Sequence, residues 1–316
     1  MDNIPFIFKY IPKNLEDFMF TEDLNNILNL LLYMDNMNML LIGNSGSGKT
    51  ALIKILLHKY YKDPSLINND NVLYINNLKE QGIQYYRNDV KTFCQTKSHV
   101  KKTIILDDID LINEQSQQVF RNCIDKYGDS VNFLCSCRNT QKVIESIQSR
   151  IICITLKPLT YENMSKILYN IVKKENISID TDACDFILAI SENSARMMIN
   201  YLEKLKLLDT HITKPLCCDV CTSISFDDFN KFTTLCKEAN LSGALKIINN
   251  LSDTGFSVMD ILDNYFQYIK YIENLSEKQK YEITKLIMKY ISIFHNIHED
   301  EIELTLFTNN LIILFS

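Results

Sequence analysis

The sequence predicts an α/β domain built on a parallel sheet, then a small helical region, then a C-terminal region that is helical throughout. The segment Gly43–Thr50 has the pattern G-x-x-x-x-G-K-[ST] between an apolar strand and an apolar helix. Short β-branched runs alternate with helical segments as far as residue 156, which is typical of a doubly wound sheet. After Pro158 the apolar spacing is helical only. The expected domains are 1–157, 158–220 and 221–316.

The elements of the first domain follow from local signals. We expect residues 1–22 to be an extended segment with a stop at Pro12. Thr21 is the expected cap of the next helix, because Glu22 and Asp23 suit a helix N-terminus. The predicted strands are 39–42, 72–75, 103–106, 131–137 and 151–156, and the predicted helices between them are 49–61, 83–94, 114–127 and 141–148.

The rest of the chain is predicted to be helical, with one linker. The stretch around Pro215, which is rich in Cys, Thr and Ser, is the expected linker. About five amphipathic helices follow from Phe226, and the chain ends in the apolar segment 311–315. The predicted helices before the linker are 161–174, 180–191 and 194–208.

The glycine-rich segment predicts a phosphate-binding loop. Three of the chain's seven glycines lie in it, and glycines let successive backbone N–H groups turn toward an anion. The helix that follows adds its free N–H groups and the positive end of its dipole. Lys49 suits the β- and γ-phosphates of ATP, and the Thr50 hydroxyl suits Mg²⁺. The predicted ATP-binding residues of the loop are Gly43, Asn44, Ser45, Gly46, Ser47, Gly48, Lys49 and Thr50.

Two carboxylates end the third predicted strand. A Mg²⁺–nucleotide site needs a carboxylate at the end of a neighbouring strand, and Asp107 is the candidate that completes the metal site with Thr50. Asp108 is the candidate that polarises the water attacking the γ-phosphate. Together with Lys49, the two aspartates are the predicted catalytic residues.

The composition favours a folded intracellular protein. Hydrophobic residues make up 46% of the chain, and no apolar run approaches the roughly 20 residues of a spanning helix, so no membrane partner is expected. The start, Met1-Asp2-Asn3, is not that of a signal peptide, and ten cysteines without one favour a reducing compartment. Heavy use of Asn, Ile and Lys suggests an AT-rich genome. The expected location is the nucleus, or a viral replication factory in the cytoplasm for a viral source.

The charge distribution confines any nucleic-acid surface to the first two-thirds of the chain. The net charge is −6, and residues 221–316 hold eight lysines against thirteen acidic residues, so the remainder is close to neutral. The chain has five arginines among 33 basic residues. An arginine in such a lysine-biased sequence indicates a position that needs a planar, bidentate cation.

The motifs, in their order along the chain, resemble those of the AAA+ ATPases. The order is LDDID, a helix, FLCSCRN, the QSR that ends at Arg150, and a helical segment with Ser-Ala-Arg. Within the AAA+ ATPases the chain resembles the small subunits of replication factor C, the sliding-clamp loader, from Phe8 to the C-terminus. The resemblance implies an AAA+ ATPase domain, a helical lid and a helical collar that oligomerises. Tyr10 and Pro12, in KYIP, are similar to the KYRP segment that packs by the adenine, without its arginine contact.

The resemblance implies roles for four of the five arginines. Arg150 resembles the finger that reaches in trans into the next subunit's ATP site and stabilises charge on the γ-phosphate. Arg196 resembles the lid residue that senses the nucleotide of its own subunit. Arg87, Lys91 and Arg121 resemble residues that contact the DNA backbone in the central channel, independently of base sequence. The position of Arg121 is also linked in the family to coupling DNA to the catalytic carboxylate.

The chain departs from the family pattern at three further positions. Asp108 stands where the family has glutamate, and a side chain one methylene shorter predicts slower hydrolysis. Arg138 stands where the family has asparagine, with Asn139 one position later, and either residue is a candidate γ-phosphate contact. Gln81 replaces an arginine, which removes one DNA contact.

The resemblance implies a cycle shared with other loader subunits. ATP binding would order a hetero-pentamer that opens a ring-shaped sliding clamp and grips primer–template DNA, and hydrolysis would release both. One alternative is an inert scaffold that binds ATP, donates Arg150 and hydrolyses nothing, as Asp108 and Arg138 suggest. Another is an origin-recognition or helicase-loading AAA+ protein, which the acidic, helical C-terminus disfavours.

Overall fold

Contacts within the chain separate two units. The computed structural model describes residues 4–75, 83–191, 193–221, 224–272, 275–294 and 298–315. The first unit is formed by Met1–Lys174 and Ser191–Glu203, and the second by Glu175–Ile190 and Lys204–Ser316. Helices of the expected lid contribute to both units. The division into three domains, 1–157, 158–220 and 221–316, stays a prediction.

Five parallel strands form the sheet of the first unit. They are β1 (Met39–Ile42), β2 (Val72–Ile75), β3 (Lys102–Leu106), β4 (Val131–Cys137) and β5 (Ile152–Thr155). Their order across the sheet is β2-β3-β4-β1-β5. The β-branched residues of these runs suit a pleated surface, and β3 and β4 are buried along their whole length, as central strands of a parallel sheet are. The predicted α/β fold with a parallel sheet is confirmed.

Helices cover both faces of this sheet. The helices that begin before residue 175, of which only some pack on the sheet, are α1 (Phe6–Lys9), α2 (Glu22–Tyr33), α3 (Lys49–Tyr61), α4 (Ile83–Tyr85), α5 (Lys91–Gln95), α6 (Glu114–Tyr127), α7 (Glu145–Gln148) and α8 (Tyr161–Glu175). A π-helical turn, Tyr86–Val90, joins α4 to α5. Leu41 and Ile105 share a core with α2 and α3, whereas Leu40 and Ile104 share the opposite core with α6. Alternating side chains of one strand therefore serve two cores.

The remaining described elements are helices, and five of them follow residue 225. The helices are α9 (Thr181–Ile190), α10 (Ala195–Leu207), α11 (Lys214–Cys221), α12 (Phe226–Lys237), α13 (Leu241–Asp253), α14 (Val258–Tyr271), α15 (Glu277–Phe294) and α16 (Glu301–Phe315). Helices α12 to α16 bury an aromatic core that includes Phe229, Phe232, Tyr265 and Phe307. The predicted all-helical C-terminal region is confirmed. In the described part of the chain, no helix has both the length and the apolar character needed to cross a membrane.

The expected linker at Pro215 is wrong where the structure describes it, because Lys214–Cys221 forms α11; Thr222 and Ser223 of that stretch lie outside the described residues. Pro215 is the second residue of the helix, where a missing N–H and a fixed φ are tolerated. Cys217 and Cys221 lie one turn apart and are both buried. The burial of Cys217 and Cys221 on one face of α11 thus outweighs a composition that is typical of a linker.

The extended N-terminal segment is also wrong. Residues of α1 are helical, and Leu15–Asp17 forms a 3-10 turn. Asp17 closes this turn by accepting hydrogen bonds from the backbone N–H groups of Lys13 and Asn14, each at 2.9 Å. The bond from Asn14 and then the bond from Lys13 lower the pKa of Asp17.

The short helix predicted over 141–148 is divided. It consists of a 3-10 turn, Thr140–Lys142, and of α7, because Val143 turns inward between them and is buried.

Candidate active site

Strand register brings the predicted motif residues to one edge of the sheet. Ile42 pairs with Cys137 at the ends of β1 and β4, and Leu106 of β3 pairs with Cys135. The residues that follow β1 and β3, Gly43 and Asp107, therefore emerge at the same edge, where parallel α/β folds bind ligands.

The phosphate loop adopts a backbone that requires glycine. Gly46 and Gly48 have φ values of +76° and +89°, in the left-handed region that glycine enters without steric cost. A Cβ on Gly48 would lie 2.9 Å from the Phe18 ring, and one on Gly46 would lie 2.5 Å from Ser194 Oγ. The loop is therefore packed too closely for side chains at these two positions.

Lys49 begins α3 and points back into the loop. Its side chain is 7% exposed, and Nζ donates hydrogen bonds to the carbonyl oxygens of Gly43 at 2.7 Å and Asn44 at 3.0 Å. Burial lowers the pKa of Lys49, and the charges of Asp108 and Arg138 shift it in opposite directions, upward and downward. Lys49 thus lies within electrostatic reach of both side chains.

Thr50 and Asp107 meet although 57 residues separate them. Thr50 Oγ1 donates a hydrogen bond to Asp107 Oδ2 at 2.8 Å. The hydroxyl and the carboxylate are hard oxygen ligands of the kind that Mg²⁺ prefers. The buried Ser47 hydroxyl has no hydrogen-bond partner among the described residues, which is expected where a ligand completes the bonding. The residues present therefore fit a Mg²⁺–triphosphate.

Arg138, rather than Asn139, faces the carboxylates. Arg138 Nη2 lies 3.4 Å from Asp108 Oδ2. The Asn139 side chain instead accepts a hydrogen bond from the Gln141 N–H at 2.9 Å and caps the following turn. Asp108 has a left-handed backbone with φ +53°, and its N–H donates to Ser136 Oγ at 2.9 Å.

The N-terminal segment and α10 supply further predicted residues. Tyr10 and Pro12 are half-buried, and the Tyr10 ring packs edge-on against Phe6 with centroids 5.7 Å apart. Arg196 Cβ lies 3.5 Å from the position a Cβ on Gly46 would take. The structure thus brings Arg196 beside the phosphate loop.

Arg150 lies on the surface of its own unit and not against the core. Its Nε hydrogen-bonds to Asp125 Oδ1, and its Nη1 donates to the Ser146 carbonyl at 2.6 Å. The other oxygen of Asp125 lies 3.5 Å from Arg121 Nη1. Asp125 of α6 is therefore shared by two of the predicted functional arginines.

The three predicted DNA-contacting residues lie on helices that pack together. Arg87 and Lys91 are exposed on the π-helical turn and on α5, and both segments pack against α6, which carries Arg121. A thiol hydrogen bond from Cys94, together with the charge of Lys91, lowers the pKa of Cys123 on α6. The predicted departure at Gln81 lies outside the described residues.

Two site residues were not predicted. Tyr74 donates to Asp107 Oδ2 at 3.0 Å, and Ser136 Oγ hydrogen-bonds to Asp107 Oδ1. Ser136 is a polar residue within the buried strand β4, which is a signal of a special role. Tyr74 gives no such signal, because tyrosine is common in strands.

Known proteins are similar to both parts of this chain. The family model "ATPase family associated with various cellular activities (AAA)" matches residues 39–159, and "Replication factor C C-terminal domain" matches residues 225–292. A solved structure of a RuvB variant from Thermotoga maritima is similar with a TM-score of 0.54 over 84% of this chain and 90% of RuvB, at 16% identity. That likeness concerns the fold alone.

Two curated relatives carry the name of a replication factor C small subunit. One, from Methanococcus maripaludis, is 30% identical over 90% of this chain and 90% of its own. The other, R395 of Acanthamoeba polyphaga mimivirus, is 27% identical over 90% of this chain and 89% of its own. Because the alignment spans nearly all of both chains and the two family domains occur in order, the chain belongs to the replication factor C small-subunit family of AAA ATPases.

Proposed function

We propose that the chain is an ATP-driven subunit of a sliding-clamp loader that acts on primer–template DNA during replication. The contact between Thr50 and Asp107 carries the proposal, because it joins the phosphate loop to the carboxylate that a Mg²⁺–nucleotide site needs. The curated relatives named above support the role in replication. The matched C-terminal domain of replication factor C disfavours an origin-recognition or helicase-loading protein.

The chain's own residues would bind and orient ATP. The loop N–H groups and the start of α3 would hold the phosphates. The Lys49 ammonium would give up its hydrogen bonds to two loop carbonyls and donate to phosphate oxygens instead. Bound Mg²⁺, held by Thr50 and Asp107, would neutralise charge that develops on the phosphates. Asp108 would orient the attacking water, and Arg196 would report the nucleotide to the lid.

Arg138 and the N-terminal segment would complete the nucleotide site. Arg138 lies near Asp108, and its charge lowers the pKa of Lys49. Both observations support a contact between Arg138, rather than Asn139, and the γ-phosphate. Tyr10 and Pro12 would pack by the adenine.

The site would be completed in trans by a neighbouring subunit of a hetero-pentamer. The surface position of Arg150 supports this, because a finger has to leave its own subunit. Helix α16 exposes Ile302, Leu306 and Ile313, and apolar side chains of this kind suit a collar contact between subunits. A loader of this type would work where DNA is replicated, in the nucleus or in a viral replication factory.

DNA affinity tests the proposed function. We expect Arg87→Ala, Lys91→Ala and Arg121→Ala each to weaken primer–template binding by the ATP-bound assembly. Each variant should lower the slope of log affinity against log salt by about 1, because each removes one phosphate contact. The measurement is fluorescence anisotropy across salt concentrations, and Lys166→Ala, an exposed lysine of α8, is the matched control. DNA affinity that does not depend on ATP, or unchanged slopes, would contradict the proposal.

An inert scaffold is the second candidate, and the pairing of Asp108 with Arg138 at 3.4 Å favours it. We expect Asp108→Glu to raise ATP turnover of the assembly about tenfold, because small displacements of a catalytic group carry large rate costs. The measurement is phosphate release by wild-type and variant assemblies. The scaffold would instead be supported if the wild-type and Asp108→Glu assemblies turned over ATP at the same rate as an assembly that carries Lys49→Ala.

A further inference from the structure

Tyr74 lies beside the metal-binding edge of the sheet. It belongs to β2, at the border of the sheet, and pairs with Ile105 of β3. Side chains alternate along a strand, and paired residues of parallel strands share a face. Tyr74, Ile105 and Asp107 therefore project from the same face, and the Tyr74 hydroxyl reaches Asp107 across the strand boundary.

The hydroxyl of Tyr74 contacts the oxygen of Asp107 that also contacts Thr50. Tyr74 Oη donates to Asp107 Oδ2 at 3.0 Å, and Thr50 Oγ1 donates to the same oxygen at 2.8 Å. The other oxygen, Oδ1, hydrogen-bonds to Ser136 Oγ. Hydroxyls from β2, α3 and β4 thus hold both oxygens, so that the carboxylate cannot rotate without breaking at least one bond.

We propose that Tyr74 is a positioning residue that holds Asp107 in the orientation required by the divalent cation of the bound nucleotide. The inference rests on the proposed function, because it assumes that Thr50 and Asp107 serve a Mg²⁺–triphosphate. Residues that hydrogen-bond to metal-binding groups fix their orientation, and their loss typically weakens metal affinity about 10- to 100-fold.

The phenol suits this role for a geometric reason. A tyrosine hydroxyl lies at the far end of a rigid ring and can reach a carboxylate on the neighbouring segment, whereas a serine or threonine hydroxyl stays close to its own backbone. Strand β2 sets the position of that ring, because its pairing with β3 fixes the register. Tyr74→Phe retains the ring and removes one hydrogen bond, so it isolates the positioning contact from the packing of the strand.

The test is a Mg²⁺ titration of nucleotide binding by the full chain. A fluorescent ATP analogue reports binding, first in EDTA and then with increasing MgCl₂. For Tyr74→Phe we expect the half-saturating Mg²⁺ concentration to rise about tenfold. We expect its affinity for the analogue in EDTA to stay within about twofold of wild type, because the hydroxyl contacts no phosphate-binding group of the loop.

Tyr60→Phe is the matched control. Tyr60 also hydrogen-bonds to an aspartate, Asp35, but far along α3 from the phosphate loop. An equal Mg²⁺ shift in this control, no shift in Tyr74→Phe, or an equal loss of affinity in EDTA would overturn the inference. Failure of the proposed function is distinguishable, because the wild-type chain would then show no Mg²⁺-dependent binding of the analogue at all.

Discussion

Lys49→Ala is expected to weaken ATP binding about 100-fold and to abolish ATP turnover at this chain's own site in the assembly, because a charged hydrogen-bond donor is worth roughly 1.5–3 kcal/mol in a buried site. Lys49 is 7% exposed, and its ammonium group already points into the loop. No other described lysine lies in this loop. The measurement is binding of a fluorescent ATP analogue, followed by phosphate release from the assembled loader.

Lys54→Ala separates loss of the phosphate contact from a general effect on helix α3. Lys54 lies on the same helix with its side chain exposed to solvent, and alanine is a good helix former. We expect wild-type affinity in this control. Normal nucleotide binding by Lys49→Ala would contradict the assignment of the phosphate loop, and with it the ATP-driven cycle.

Arg150→Ala is expected to lower ATP turnover of the assembly about 1,000-fold at the site that Arg150 completes, the lower end of the range for arginine fingers. The variant chain should still bind ATP with wild-type affinity, because Arg150 contacts Asp125 and Ser146 in its own unit and not the phosphate loop. Its stability should change by less than about 1 kcal/mol, because the pair with Asp125 is partly exposed.

A mixed assembly makes this test specific. Phosphate release is measured with Arg150→Ala in this chain and with all other subunits unchanged, and Lys142→Ala is the control at a nearby exposed position. Retained turnover at the one site that Arg150 is expected to complete would contradict action in trans. A loss of ATP affinity in the Arg150→Ala chain itself would show instead that Arg150 serves its own subunit.

Local sequence predicted the elements of the sheet and the residues of the loop. Strands β1 to β4 agree with their predictions within about one residue, because β-branched runs bounded by polar residues form strands in most contexts. Gly46 and Gly48 were predicted as loop glycines, and their positive φ values give the physical reason. Helix α11 was missed because its proline suits a first helical turn as well as a linker.

The choice between Arg138 and Asn139 could not be made from the sequence. Both follow β4: an alignment without gaps places Arg138 at the family's asparagine position, whereas a shift of one residue places Asn139 there. In the structure the Asn139 side chain caps the next turn and the Arg138 guanidinium lies near Asp108. These contacts support the proposal for Arg138, and the γ-phosphate contact itself stays a prediction. The Asn139 cap depends on where β4 ends and where the turn Thr140–Lys142 begins.

The sequence alone predicted the α/β class and the phosphate loop, because each depends on residues that are close neighbours in the chain. It predicted the Asp107 carboxylate and the family resemblance from motifs that occur in a set order along the chain. Only the tertiary structure placed Tyr74 and Ser136 on Asp107. Tyr74 belongs to β2, Ser136 to β4, and Asp107 follows β3, and they meet because β3 lies between β2 and β4 in one particular register. Strand order and register arise from packing of the whole sheet, which no local pattern encodes.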